Sequence, residues 1–200
     1  MRSLPKRPAT MAPTTRRRAL SLAAVPVLAV AAGLSGTAVR AQRAAPRELV
    51  SEWSSARLHG EGRLRFLGLH VYDIRLWTTE PALGEQDWMR KPLALEIEYA
   101  RGLVGRQIAE RSLEEMKRAG PVPAETEQRW LKAMNQFFPD VKAGDRITGL
   151  HLPDGVARFF VNGQGRGELR DAEFARRFFG IWLGASTSEP GLRDTLLGRR

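Results

Sequence analysis

Residues 137–184 read FFPDVKAGDRITGLHLPDGVARFFVNGQGRGELRDAEFARRFFGIWLG, and the reading of this stretch decides the fold. Pro139-Asp140 breaks the helix that ends in Phe137-Phe138. Asp145 to Leu152 then alternates Ile147, Gly149 and His151 against Thr148, Leu150 and Leu152, the period of a strand. Pro153-Asp154-Gly155 is a turn. Val156 to Val161 is aromatic and branched and forms the next strand, and Asn162-Gly163 supplies the positive backbone angles of a tight hairpin. Asp171 stands where its side-chain oxygen can accept from the free N–H groups of a helix's first turn. Phe174, Phe178, Ile181 and Trp182 follow at helical spacing, and Gly184 closes the helix. Two strands, two turns and a capped helix are therefore expected, with the tract Gly163–Gly167 read as a loop between strand and helix.

Upstream, residues 63–77 alternate as one extended strand. Leu64, Phe66, Gly68, His70, Tyr72, Ile74 and Leu76 lie on one face, and Arg63, Arg65, Leu67, Leu69, Val71, Asp73, Arg75 and Trp77 on the other. Both faces are partly apolar, which predicts a central strand, covered by helices on one side and bordering a cleft on the other. Leu93 to Ala100 is a cleaner strand, with Leu93, Leu95, Ile97 and Tyr99 inward and Glu96 and Glu98 outward. Helices are predicted over 104–119, over 125–138 with Trp130, Leu131, Met134, Phe137 and Phe138 on one face, and over 190–197. Structure begins near Leu49. This order of elements argues for an α+β fold, an antiparallel β-sheet with helices layered on one face.

The phrases VYDIRLW (71–77), FFPDVKAGDRI (137–147), RFFVNG (158–163) and FFGIWLG (178–184) together resemble the bacterial chalcone isomerase-like proteins. The resemblance runs from about Trp53 to Gly198 and implies that family's open-faced β-sandwich. It leaves activity open, because the family's plant enzymes close a chalcone into a flavanone while other members bind fatty acids without catalysis. Closure requires little of the protein beyond orienting the substrate and stabilising the charge that develops on its carbonyl oxygen. In the plant enzymes an arginine, a threonine, a tyrosine and an asparagine are credited with this. Alignment on the family's strand places Leu67 at the threonine, with Val104 and Arg111 at the tyrosine and asparagine. The arginine is matched by Arg57 with a gap, or by Arg63 or Arg65 without one. The missing hydroxyl and amide donors imply no efficient chalcone isomerase.

The first 41 residues read as an export signal that looks like the twin-arginine type, with an ordinary secretory signal with an arginine-rich start, or an uncleaved anchor, as the alternatives. Arg16-Arg17-Arg18 precedes an apolar run from Ala19 to Leu34 that is too short and alanine-rich to predict a stable membrane span, and Ala41-Gln42 is the expected cleavage point. A periplasmic or otherwise exported protein follows from this, whether translation starts at Met1 or Met11. The precursor's net charge of +10 is mostly a property of this segment, which holds seven bases and no acid. The remaining 159 residues carry 25 bases against 22 acids. That balance gives no support to binding of nucleic acid or anionic membranes, and the lack of a basic stripe interleaved with stacking aromatics argues further against nucleic acid as a partner. The same 159 residues suit one domain, 42–200. The absence of cysteine excludes disulfides, thiol catalysis and thiolate metal sites.

Candidate chemistry centres on His70 and Tyr72, polar tips on an otherwise apolar face. One reading makes them a core pair bonded to backbone or to each other. The other makes them, with Arg57, Arg63 or Arg65, the polar end of a pocket for a ligand carboxylate, which a guanidinium grips with two parallel bonds. His59, His70 and His151 lack metal-ligand spacing, and neither a phosphate loop nor a dinucleotide fingerprint occurs, so no metal and no cofactor are expected. Three functions stay open: a non-catalytic binder of a small apolar ligand such as a fatty or aromatic carboxylic acid, an intramolecular lyase or isomerase acting on an unsaturated carbonyl compound, and a protein-interaction module.

Overall fold

Alternation at period two builds six strands, and apolar stripes at helical period build the helices that cover them. The computed structural model describes residues 44–84 and 87–199; the export segment and its Ala41-Gln42 junction lie outside the described residues. The order is α1 (Arg47–Glu52), β1 (Arg57–Phe66), β2 (Leu69–Thr78), a 3-10 turn (Asp87–Arg90), β3 (Leu93–Tyr99), α2 (Gly105–Lys117), α3 (Ala124–Phe137), β4 (Arg146–His151), β5 (Val156–Val161), β6 (Gln164–Arg170), α4 (Ala172–Leu183) and α5 (Pro190–Leu196). The strands form one sheet in sequence order, each antiparallel to its neighbours. One face carries Ile74, Leu76, Leu93, Leu95, Ile97 and Phe159, packed with Met116, Trp130, Met134, Phe174 and Phe178 of the helices. On the other face Trp77, Ala94 and Leu150 meet Leu49 of α1. The α+β architecture with helices layered on one face therefore holds, and α1 adds a short cover on the opposite side.

Asp171 caps α4 as its position requires. One carboxylate oxygen accepts from the N–H groups of Glu173 (3.1 Å) and Phe174 (3.0 Å), and the other accepts from Trp130 Nε1 at 2.9 Å, tying α4 to α3. Burial raises the Asp171 pKa, but the bonds from Trp130, Phe174 N–H and Arg129 outweigh it and leave a net lowering.

Three expectations are corrected. The single strand over 63–77 is a hairpin, turning at Leu67 (φ 49°) and Gly68 (φ 80°). A two-residue turn should invert the phase of the alternation, but a register shift between Leu64 and Arg65 restores it. The apolar pattern therefore runs through the turn without a visible break. Second, Gln164–Arg170 is not loop but β6, the return arm of the Asn162-Gly163 hairpin. Its glycines hide the alternation, and one is required: a Cβ on Gly167 (φ 145°) would stand 2.5 Å from the Phe137 ring. Third, Glu96 does not face solvent; it is 2% exposed on the face that α1 covers.

Candidate functional site

The five residues singled out from sequence fall in different places. Arg57 sits at the open end of the β1–β2 hairpin, where Nε and Nη2 donate to the Glu80 (3.1 Å) and Thr79 (2.7 Å) carbonyls. Arg63 lies opposite Asp73 and grips it through Nε (2.6 Å) and Nη2 (3.2 Å). His70 Nε2 approaches the same Asp73 oxygen at 3.1 Å, so Asp73 joins Arg63 to His70. The Arg63 bond foremost, with smaller help from His70, holds the Asp73 carboxyl below its ordinary range. Arg65 Nη1 donates to the Gly68 carbonyl at the turn (3.3 Å). Tyr72 points the other way, into the helix-covered face, where its hydroxyl accepts from Trp182 Nε1 at 2.8 Å and its ring meets Tyr99 edge-on at 6.1 Å. Burial raises the Tyr72 pKa far beyond the ordinary phenol range, keeping the hydroxyl neutral. Tyr72 is thus separated from the arginines.

The positions aligned with the plant enzymes' donors do not converge either. Leu67 is at the turn and 86% exposed, and Val104 is the residue before α2 and 47% exposed. Arg111 pairs with Glu114 and Glu115 along α2.

The sheet face opposite the helices carries a lattice of charges set by register. Glu61 lies opposite Arg75, Arg75 opposite Glu96, and Glu96 opposite Thr148. Arg75 Nη1 stands 3.0 Å from Glu98 Oε2 and 3.4 Å from Glu96 Oε1. Glu96 also accepts from Trp77 Nε1 (2.9 Å) and lies 3.4 Å from Arg146 Nε. Glu48 of α1 enters this lattice, taking Arg146 Nη2 at 3.0 Å and Thr148 Oγ1 at 2.9 Å. With Arg75 and Glu96 nearly buried and the two guanidiniums of Arg75 and Arg146 shared among four carboxylates, the lattice registers strands and docks α1. Among the described residues no group of three or more His, Asp or Glu side chains could hold a metal ion.

A groove of about 550 Å³ opens where the 3-10 turn, the end of α2, α4 and α5 meet. Trp88, Met89 and Leu183 supply its apolar surface, and Arg118, Arg176, Arg177 and Arg193 surround it. The guanidiniums have different duties. Arg177 caps the end of α2, donating to the Met116 (3.3 Å) and Gly120 (2.6 Å) carbonyls, and Arg176 is bidentate on Glu173. Arg193 Nε holds the Leu183 carbonyl (2.9 Å). Arg118 Nε donates to the Ser186 carbonyl (3.0 Å) and stands 3.5 Å from Glu115 Oε2, and its side chain is half exposed. Sequence reasoning did not find this groove. Its residues come from four separate segments, and no spacing within any one of them signals the convergence.

The fold defines a class in which one antiparallel sheet carries its helices on one face. The chain belongs to the chalcone isomerase-like family, whose model matches residues 39–198. It is 31% identical over 130 residues to an uncharacterized protein of Haemophilus influenzae, a match covering 65% of this chain and 62% of that one. This chain thus spans less than two thirds of that relative's length. The crystal structure of the Arabidopsis thaliana fatty-acid binding protein AtFAP1 superposes with a TM-score of 0.57 over 72% of this chain and 88% of that one, at 17% identity, a likeness of fold. No helix among the described residues is long and apolar enough to cross a membrane.

Proposed function

We propose that this protein binds a small amphiphilic acid, fatty or aromatic, in the groove between the 3-10 turn and helices α2, α4 and α5, and is not an efficient isomerase. The observation that carries the reading is the meeting of four guanidinium groups with the apolar surface of Trp88, Met89 and Leu183 in one hollow of ligand size. A carboxylate would lie against Arg118, whose side chain is half exposed at the groove, and the tail would cover the apolar wall. The likeness to a fatty-acid binding protein supports the ligand class. The neutral, inward-held Tyr72 and the scattered Leu67, Val104 and Arg111 leave a developing oxyanion without converging donors.

The test is calorimetric titration with lauric acid and its methyl ester. The acid should bind and the ester much less. Arg118→Ala should weaken the acid by about tenfold or more, since a hydrogen bond to a charged group contributes about 1.5–3 kcal/mol. Unchanged affinity in Arg118→Ala would remove the groove as the site.

A further inference from the structure

The β1–β2 hairpin outruns the rest of the sheet. Pairing between β2 and β3 stops at Tyr72↔Tyr99, while β1 and β2 continue to Phe66↔Leu69. The three residues from Leu69 to Val71 carry the ribbon about 10 Å further at ordinary strand rise. Its end is apolar and uncovered: Phe66 is 66% exposed, Leu67 86% and Leu69 55%. Leu67 also holds a left-handed backbone (φ 49°), a conformation that favours glycine or asparagine over a branched apolar residue. Placing a leucine there is unfavourable for the turn and for solvation alike, so the fold itself gives no reason for it.

We propose that this hairpin tip is a membrane-contacting finger that seats Phe66, Leu67 and Leu69 in the interface of an anionic lipid bilayer. The chemistry around the tip fits that occupant. Arg65 stands beside the turn and donates to its Gly68 carbonyl, which satisfies a backbone acceptor that would otherwise lose water on insertion. At the base, the Ala100 N–H donates to the Val71 carbonyl (2.9 Å), which brings the exposed Arg101 next to the finger. Arg63 is neutralised by Asp73, so Arg65 and Arg101 are the cations presented to the headgroups. Basic residues flanking a few large apolar ones suit an anionic interface. Three side chains on a two-stranded ribbon offer far less than the roughly 800 Å² per partner of a specific protein interface, whereas a bilayer accepts so small a contact. The proposal is independent of the groove, which lies among other elements.

The chain has no native cysteine, so a single reporter can be placed at will. Full-length Phe66→Cys carrying an environment-sensitive nitrobenzoxadiazole label is mixed with vesicles of phosphatidylethanolamine and phosphatidylglycerol. Lys132→Cys on α3 carries the control label, and Leu69→Cys a second tip reporter in case the first disturbs the turn. The tip labels should become blue-shifted and several-fold brighter, with the Lys132 position unchanged. Attachment of the chain through residues 1–43 is distinguishable, because a finger outside the bilayer keeps a water-like emission. Tip labels that stay water-like on these vesicles overturn the proposal, and so does shielding that appears only when a second protein is added.

Discussion

Two turns of this chain share one backbone and differ in chemistry. Asn162-Gly163 has φ 52° and 83°, and Leu67-Gly68 has φ 49° and 80°. Asparagine tolerates the left-handed region by bonding locally, whereas leucine places its Cβ close to the following carbonyl at a cost of about 1–2 kcal/mol. The first turn is thus a control for the second. Leu67→Asn should make the β1–β2 turn resemble its counterpart and stabilise the protein by about 1 kcal/mol, a rise of about 2–4 °C in Tm for a domain of this size. Calorimetry checks this, and an unchanged or lower Tm would mean that Leu67 makes contacts that offset its backbone strain. The same substitution removes the most exposed apolar side chain of the finger, so the residue that weakens the turn is also the one membrane contact would require.

At the scale of elements, the charge lattice decides how the strands and α1 meet. Arg75, Glu96 and Glu48 would each be an unfavourable burial alone; together with Arg146 they meet one another's charges, although Arg75 Nε and Arg146 Nε make no hydrogen bond. Arg75→Met should therefore cost about 3–5 kcal/mol, because it removes one of the two guanidiniums that meet the buried Glu96 and leaves only Arg146 at 3.4 Å and the Trp77 N–H. Urea unfolding measures this, and a loss below about 1 kcal/mol, typical of a solvated surface pair, would show that water screens the lattice. The sequence made β3, β4 and α2–α4 legible through their own periods, β5 through its aromatic and branched residues, and α5 through Pro190 at its start and Gly198 after its end. The β1–β2 turn was not legible, since a bulge restored the phase, and β6 was masked by glycines that lack side chains to alternate. Glu96 alternates correctly as an outward residue. Its burial depends on α1, nearly fifty residues upstream, and no local pattern reports that cover. Of the candidate site residues, the joining of His70 to Arg63 passes through Asp73, which sits on the opposite face by simple alternation. The groove's arginines belong to separate segments and meet only in the folded molecule.

Across the whole molecule, ionisation ties stability to pH in two stages. Burial foremost lowers the pKa of His151 from its ordinary 6.5, despite the Nδ1 contact with the Lys91 carbonyl at 3.3 Å. His59 is lowered for the same first reason. For a group depressed by folding, the unfolded chain takes up the proton first. Its contribution is complete above the unfolded value and declines as pH falls from there through the folded one. The histidine stage should therefore begin near pH 6.5. Asp73, Asp145, Glu168, Asp171 and Glu173 are also lowered, and their contribution should fall only below the ordinary carboxylate range, at about pH 4. His151 lies between the rings of Phe179 (5.2 Å) and Trp88 (6.3 Å), where an imidazolium would lose hydration that the charge of Asp154 offsets only in part. His151→Gln removes that titration while keeping a polar side chain. Its Tm should decline less between pH 6.5 and 5 than the parent's, and both should then fall together through the acid stage. Parallel curves over the first interval would show that His151 is protonated in place without penalty, and would assign the early loss to His59.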